Sequence, residues 1–126
     1  MEKKPEVIYI SLPLPSKKLS PNIRTHWAAK SKATAKARSD ATVVARIAKP
    51  ASCPWESAEV RCVFTFPVRR ARDKDNLLAW LKAYFDGIAS AGVVLNDSGF
   101  RHLPVEEAEP NKAAAGVVIE IRRIKK

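Results

Sequence analysis

Cysteine and glycine are scarce in this chain of 126 residues, which has two cysteines and four glycines. Cys53 and Cys62 do not have CxxC spacing, and the two histidines, His26 and His102, do not complete a zinc quartet with them. Both cysteines are therefore expected to be reduced and structural. A structural zinc site is not expected.

Long apolar runs, repeats and low-complexity linkers are also absent. No apolar run approaches the roughly 20 residues that a helix needs to cross a bilayer, and the apolar stretch near the N-terminus is too short for a signal peptide. These absences predict a cytoplasmic protein with no membrane partner. The length suits one domain, and we treat residues 1–126 as that domain.

Positive charge is what the chain has in excess. Its 23 Lys and Arg residues against 13 Asp and Glu residues give a formal net charge of +10, which favours polyanionic partners such as nucleic acid. Sequence-independent phosphate contacts are expected from cations around the first predicted helix and before the second: Lys17, Lys18, Arg24, Lys30, Lys32, Lys36, Arg38, Arg69 and Arg70.

Alternating strand-like and helix-like segments predict the element order β-α-β-α-β-β. Residues 6–12 and 56–67 form β-rich alternating runs that end at prolines. An Ala-, Lys- and Arg-rich segment between them predicts a helix from Trp27 to Ala48. Residues 100–110 and 115–125 predict two further strands. The predicted fold class is α+β, with two main helices on a mixed sheet.

The second predicted helix runs from Asp75 to Ala91, and Gly92 supplies its stop. An apolar stripe on this helix is expected to face the core, and it consists of Leu77, Leu81, Tyr84 and Ile88. At 100° per residue, Asp75, Lys82 and Asp86 fall together on the opposite, exposed face.

The aspartates at the start of this helix allow two interpretations. In the first, Asp73 and Asp75 cap the helix N-terminus, where free N–H groups and the helix dipole favour anions, and Arg70 and Arg72 are simple counter-charges. In the second, Asp73 and Asp75 converge with Asp97 as oxygen ligands for Mg²⁺. The surrounding arginines and lysines strengthen the second interpretation, because a phosphodiester nuclease needs carboxylates for its metal and cations for the DNA backbone.

Three short motifs resemble the core of the RusA-type Holliday junction resolvases: RDKDNL at 72–77, KAYFDGI at 82–88 and AGVVLND at 91–97. A looser likeness extends to ISLPLPSKKLSPN at 10–22. The resemblance implies a RusA-like fold, and it leaves both a bacterial and a phage or prophage origin open. It also implies a homodimeric, Mg²⁺-dependent endodeoxyribonuclease, with Mn²⁺ as a substitute ion. Such an enzyme resolves four-way DNA junctions by paired symmetric nicks in recombination and repair.

Carried over position by position, the resemblance implies four catalytic residues, of which the three acids also bind the metal: Asp73, Asp75, Asp97 and Lys82. Three further residues are implied in supporting roles: Arg72, Asn76 and Asn96.

Two positions depart from the family pattern. In the best-known member of the family a lysine follows the second aspartate by one helical turn, whereas here Ala79 occupies that place and Lys82 lies about two turns along. Either three residues are inserted here or the role of the lysine has moved. Asn96 stands where the family has a further aspartate, and its amide oxygen brings no charge to a metal.

Two other functions stay open on the sequence alone. The aspartates are structural if the chain is a non-catalytic, basic nucleic-acid-binding protein. The same architecture also suits a nuclease for flap or other branched DNA. A homodimer is expected on geometric grounds as well, since two symmetric cuts require two sites related by a two-fold axis.

Overall fold

The computed structural model describes residues 6–21, 23–24 and 26–124. These residues fold into a mixed sheet with helices on one face, which confirms the predicted α+β class. In chain order the elements are β1 (Val7–Leu12), α1 (Trp27–Ala48), β2 (Ala58–Thr65), α2 (Lys74–Trp80), α3 (Lys82–Ser90), β3 (Phe100–His102), β4 (Glu106–Glu107) and β5 (Gly116–Arg123). The predicted bounds of the first helix are confirmed.

The sheet has the strand order β1-β5-β2-β3, and β4 also pairs with β2. β5 is antiparallel to both β1 and β2, whereas β3 and β4 run parallel to β2. α2 and α3 form the crossover between the parallel strands β2 and β3, as parallel pairing requires a long connection. The sheet is therefore mixed, as predicted.

The predicted strand at 100–110 is wrong as one element, because the structure divides it into β3 and β4. Pro104 lies between the two strands, and it has no N–H to donate to the ladder. The backbone N–H groups of Leu103 and Ala108 still bond to carbonyls of β2, at 2.8 Å each. Both short strands thus share one edge of β2.

The predicted single helix from Asp75 to Ala91 is also divided, with a tight turn at Leu81 between α2 and α3. The Leu81 N–H bonds to the carbonyl of Leu78, three residues back, at 3.1 Å. Leu81 is fully buried there. The apolar stripe nevertheless faces the core, since all four of its predicted residues are buried.

The core lies between the sheet and the helices. Alternate residues of β1, β2 and β5 point towards the helices and are buried, as the period-2 pattern predicts. Among them is Cys62, whose pKa burial raises to about 12, so that it packs as a neutral thiol. Small residues let α1 and α3 approach closely, because Ala41 of α1 lies against Gly87 of α3. No helix in the described part of the chain is long and apolar enough to cross a bilayer.

Candidate functional site

An open cavity of about 430 Å³ lies beside α2 and α3, and its rim carries three aspartates. We call it the acidic cavity, and the polar side chains that line it are Asp75, Lys82, Asp86, Asp97 and His102. Its apolar floor includes Phe85 and Phe100. It therefore combines carboxylates, a cation and an imidazole in one recess.

Asp97 reaches the cavity because the chain after α3 is held in place. Gly92 ends the helix with a φ of +90°, a conformation that glycine adopts without strain. Trp55 then pins the following segment by two backbone hydrogen bonds, to Val93 at 2.8 Å and from Leu95 at 3.0 Å. The Asn96 side chain caps the next turn by accepting from the Ser98 N–H at 3.0 Å and from the Ser98 hydroxyl. The predicted supporting residue Asn96 thus positions the turn that begins at Asp97.

Lys82 is the cation of the acidic cavity. Its Nζ lies 3.4 Å from Asp86 Oδ2, one helical turn away on α3. The lysine side chain is 77% exposed, and an exposed pair of this kind is worth about 0.3–0.5 kcal/mol. Lys82 is therefore free to exchange Asp86 for another anion.

Asp73 is not part of the acidic cavity. Its Oδ1 accepts hydrogen bonds from the backbone N–H groups of Asp75 at 2.9 Å and Asn76 at 3.4 Å, so it is the N-cap of α2. Residues two apart at a helix start point about 200° apart, which sends Asp73 and Asp75 to different sides of α2. The structure brings Asp75 and Asp97 together, and it does not bring Asp73 to them.

Arg72 and Asn76 also lie on the Asp73 side of α2. The Arg72 guanidinium sits 3.5 Å from the centroid of the Phe66 ring. It donates to the carbonyls of Val68 and Arg70 and lies 3.3 Å from Glu107 Oε1. Arg72, which was predicted to support the metal ligands, therefore stabilises the loop before α2 instead.

The donor set of the acidic cavity suits a hard divalent cation. Asp75, Asp86 and Asp97 offer carboxylate oxygens, and Mg²⁺ needs only one or two carboxylates besides waters and substrate phosphates. Within residues 6–21, 23–24 and 26–124, no three His, Cys, Asp or Glu side chains are already gathered at ligand distances. The residues thus fit Mg²⁺ in chemistry, with Asp86 on the cavity in place of Asp73.

His102 lines the acidic cavity, and the sequence pattern did not predict a role for it there. Its ring meets the Phe85 ring edge-on, with 4.6 Å between centroids. Burial against this apolar floor lowers the pKa of His102 below its usual 6.5. His102 follows the buried Phe100 by two residues in the strand after Asp97, and this alternation could have predicted that His102 lies near Asp97.

The lowered pKa of His102 can be measured directly. We expect its imidazole to titrate below pH 6.5 in an NMR titration of the folded protein. Because the folded state binds the proton more weakly than the unfolded state, the stability linked to His102 is present above pH 6.5 and is lost as the pH falls through the folded-state pKa. In Phe85→Leu, where the ring contact is gone, the pKa should move back towards 6.5. A wild-type value at or above 6.5 would contradict the packing of His102.

Comparison with known proteins places the chain beside one relative. No protein-family model matches the chain. A protein of Xylella fastidiosa (strain Temecula1 / ATCC 700964), described as an uncharacterized protein, is 42% identical over an alignment of 112 residues, which covers 86% of this chain and 72% of the relative. The chain belongs to the family of this Xylella protein. The relative's description assigns no activity, so the function of this family must be argued from the site.

The predicted phosphate-binding cations form two groups, according to whether they have a side-chain partner among the described residues. Three have partners within the protein: Lys36 lies 2.7 Å from Asp40, Arg69 lies 2.7 Å from Glu109, and Arg38 donates to the Ser90 hydroxyl at 2.8 Å. The others form no salt bridge with any residue that the structure describes: Lys17, Lys18, Arg24, Lys30, Lys32 and Arg70. The second group can take up phosphates without giving up an internal ion pair.

Proposed function

We propose that the protein is a Mg²⁺-dependent, structure-specific endodeoxyribonuclease of the RusA type, which resolves four-way DNA junctions by paired symmetric nicks. The observation that carries the proposal is the acidic cavity, which is lined by Asp75, by Asp97 and by the exposed Lys82. The motifs that resemble RusA-type resolvases contain all three of these residues.

The charge distribution supports this proposal. The chain as a whole is strongly basic, yet its carboxylates outnumber its cations at the acidic cavity. Lysines and arginines that form no salt bridge with a described residue attract the DNA backbone, while the carboxylates by themselves repel a phosphate. A divalent cation at the cavity reverses that repulsion, which explains why a DNA-binding surface would contain an acidic recess.

Each side chain has a role in this proposal. Asp75 and Asp97 would hold Mg²⁺, with Asp86 beside them, and Mn²⁺ would substitute. When bound, the ion lowers the pKa of water and neutralises charge on the phosphate oxygens. Lys82, released from Asp86, places its ammonium where negative charge builds up on the phosphate. Asp73 acts indirectly, because it caps the helix that presents Asp75.

A homodimer would supply the second cut. One chain has one acidic cavity among its described residues, and a junction needs two nicks related by a two-fold axis. An isologous dimer provides two cavities in that relation.

A cleavage assay tests the proposed function. The purified protein is incubated with a labelled four-way junction, a linear duplex and a flap, with Mg²⁺ or with EDTA. We expect paired symmetric nicks on the junction alone, and only with the metal. Preferred cutting of the flap would instead assign the protein to other branched DNA.

The competing function is a non-catalytic nucleic-acid-binding protein, and one observation favours it. Asp73 uses a carboxylate oxygen as a helix cap, which is a structural use of a predicted catalytic acid. This alternative predicts tight, salt-sensitive DNA binding with no Mg²⁺-dependent cleavage of any of the three substrates.

Two substitutions of Asp73 distinguish its role as a helix cap from a role as a metal ligand. Asn is as good an N-cap as Asp, so Asp73→Asn should keep the thermal stability and cut junctions within a few-fold of the wild-type rate. Asp73→Ala should lose about 1 kcal/mol of stability, measured by urea unfolding. If Asp73→Asn abolishes cleavage without changing stability, Asp73 binds the metal in the complex and the assignment as a cap alone is wrong.

A further inference from the structure

A second cavity, of about 630 Å³, lies on the other side of α2 from the acidic cavity. We call it the aromatic cleft, and it is lined by residues of α2 and of two segments before it: Leu14, Lys17, Ser20, Ile23, Phe66, Pro67, Val68, Arg70, Ala71, Arg72, Asp73, Asn76, Leu77 and Trp80. Phe66 and Trp80 contribute its rings, and Lys17 and Arg70 contribute cations. Its volume is within the range of cavities that hold small organic ligands.

The aromatic wall of the cleft is held by ring packing and by a hydrogen bond. The Phe64 ring lies parallel to Phe66 and to Trp80, with centroid distances of 5.4 and 6.3 Å and an interplanar angle of 3° in both pairs. The Trp80 indole N–H donates to the Ser16 carbonyl at 2.9 Å, which fixes the orientation of its ring. Trp80 is only half-buried, so part of its ring system is open to the cleft.

The rim of the cleft is apolar and exposed. Val68 is 54% exposed and Ile23 is 47% exposed, and both line the opening. Exposed apolar side chains that gather at one concave site, rather than singly, mark a binding surface. Together with Trp80 they present a surface suited to the flat face of an aromatic ligand.

The charges of the cleft favour an anion next to that aromatic face. Arg72 is committed to Phe66, to two backbone carbonyls and to Glu107, so it forms part of the wall. Lys17 and Arg70 form no ion pair with any residue in the described ranges. Asp73 also lines the cleft, where its Oδ1 is held by the N–H groups of the helix start. A nucleotide has both parts that this arrangement requires, a flat aromatic base and an anionic phosphate.

We propose that the aromatic cleft takes one unpaired nucleotide of the DNA substrate. Its base lies against Trp80 and the apolar rim, and its phosphate lies between Lys17 and Arg70. The identity of the substrate as DNA rests on the proposed function. A paired base cannot enter, because its faces are covered by stacking in the duplex, whereas a base at a junction centre or a flap has a free face.

The position of the cleft relates this contact to cleavage. α2 separates the cleft from the acidic cavity, and a helix with side chains is about 10–12 Å across. At the duplex rise of about 3.4 Å per nucleotide of one strand, roughly three nucleotides span that distance. A strand whose unpaired base is held in the cleft thus has a phosphodiester near Asp75 and Asp97. The cleft would make the nuclease selective for branched DNA.

Binding to two DNA probes in EDTA tests the proposal without cleavage. One probe is a labelled duplex, and the other is the same duplex with a single unpaired nucleotide in one strand. The measured quantity is the ratio of the two affinities, by fluorescence anisotropy. We expect the wild-type protein to prefer the second probe by about tenfold, as the stacking of one base provides. Equal affinities would overturn the proposal.

Two pairs of variants locate the preference. Val68→Glu puts a carboxylate in the mouth of the cleft, and Val43→Glu makes the same change on α1, at a residue that is 53% exposed and outside the cleft. Arg70→Ala removes a cleft cation, and Arg69→Ala removes its neighbour, which pairs with Glu109 outside the cleft. The first member of each pair should lose the tenfold ratio, and the second should keep it. If both members of each pair behave alike, the cleft is not the site.

Photocrosslinking provides an independent readout. With 5-iodouracil as the unpaired base, irradiation and mass spectrometry should identify a crosslink to Trp80 or to the peptide that contains Phe66. A crosslink to α1 alone would overturn the proposal. If the protein shows the binding preference but never cuts any probe, the proposed nuclease function is wrong and the proposed cleft stands. If it cuts junctions but shows no binding preference, the proposed cleft is wrong and the nuclease function stands.

Discussion

Asp75→Asn and Asp97→Asn are each expected to abolish Mg²⁺-dependent cleavage of a four-way junction while leaving its binding intact or tighter. Both changes keep the shape of the side chain and remove a negative charge from the acidic cavity. Mutation of a residue that only hydrogen-bonds to a metal ligand lowers activity by up to about 100-fold. The loss of a carboxylate that binds the metal itself should therefore lower the cleavage rate by more than about 100-fold. Binding should not weaken, because the DNA phosphates then meet fewer carboxylates.

The control for this experiment is Asp40→Asn. It changes the net charge by the same amount on α1, where Asp40 pairs with Lys36, and Asp40 does not line the acidic cavity. We expect wild-type cleavage from this control. Single-turnover rates and anisotropy titrations in EDTA give the two quantities separately. If either cavity variant cuts at the wild-type rate, the carboxylates are not ligands. If either loses binding together with cleavage while its fold is intact, the carboxylates have a role beyond the metal.

Gly87→Ala is expected to destabilise the protein by about 1–3 kcal/mol, as overpacking in a tight core does. A Cβ at this position would lie 2.3 Å from the backbone carbonyl oxygen of Arg38, and a backbone atom cannot move aside as a flexible side chain can. α1 and α3 would have to separate. In an exposed helix, the same change stabilises by up to about 1 kcal/mol, so the sign of the effect is diagnostic.

Urea unfolding measures the effect, with Ser39→Ala, on the exposed side of α1, as the control. The control should be neutral or slightly stabilising. Cleavage by Gly87→Ala should fall as well, since α3 also contains Lys82 and Asp86. If Gly87→Ala is as stable as the wild type, the two helices are not in the contact that the structure describes.

Local periodicity was sufficient to predict the framework of the fold. The first helix has the predicted ends, and the stripe from Leu77 to Ile88 is buried as expected. The alternating segments also predicted the long strands β1, β2 and β5. These features are predictable because they depend on residues only two to four positions apart in sequence.

Features that depend on distant contacts were not predictable in the same way. The turn at Leu81 accompanies the bond from the Trp80 indole to the Ser16 carbonyl, which joins residues 64 positions apart. The sequence predicts Arg72 as a counter-charge to the aspartates or as a support of the metal ligands, and only the fold brings Phe66 and Glu107 to it. Pro104 is different, because its effect on the strand at 100–110 follows from the sequence alone.

The candidate site was predicted in part. Asp75, Lys82 and Asp97 were named from the sequence and lie on one cavity, whereas Asp73 faces away from them. The cause is local geometry, since the N-cap and the second residue of a helix point in different directions. The interpretation of Asp73 as a cap was open from the start, and the structure supports it. The RusA-type activity itself stays a prediction until junctions are tested.

The short helix α2 has a consequence for how the two recesses behave together. It contains only seven residues, and each of its sides forms a wall of a different recess. Transient melting of these two turns is a single local event, and it would erase both recesses at once. Binding of an ion on one side and of a base on the other therefore both require an ordered α2. Each ligand should raise the affinity for the other by the same factor.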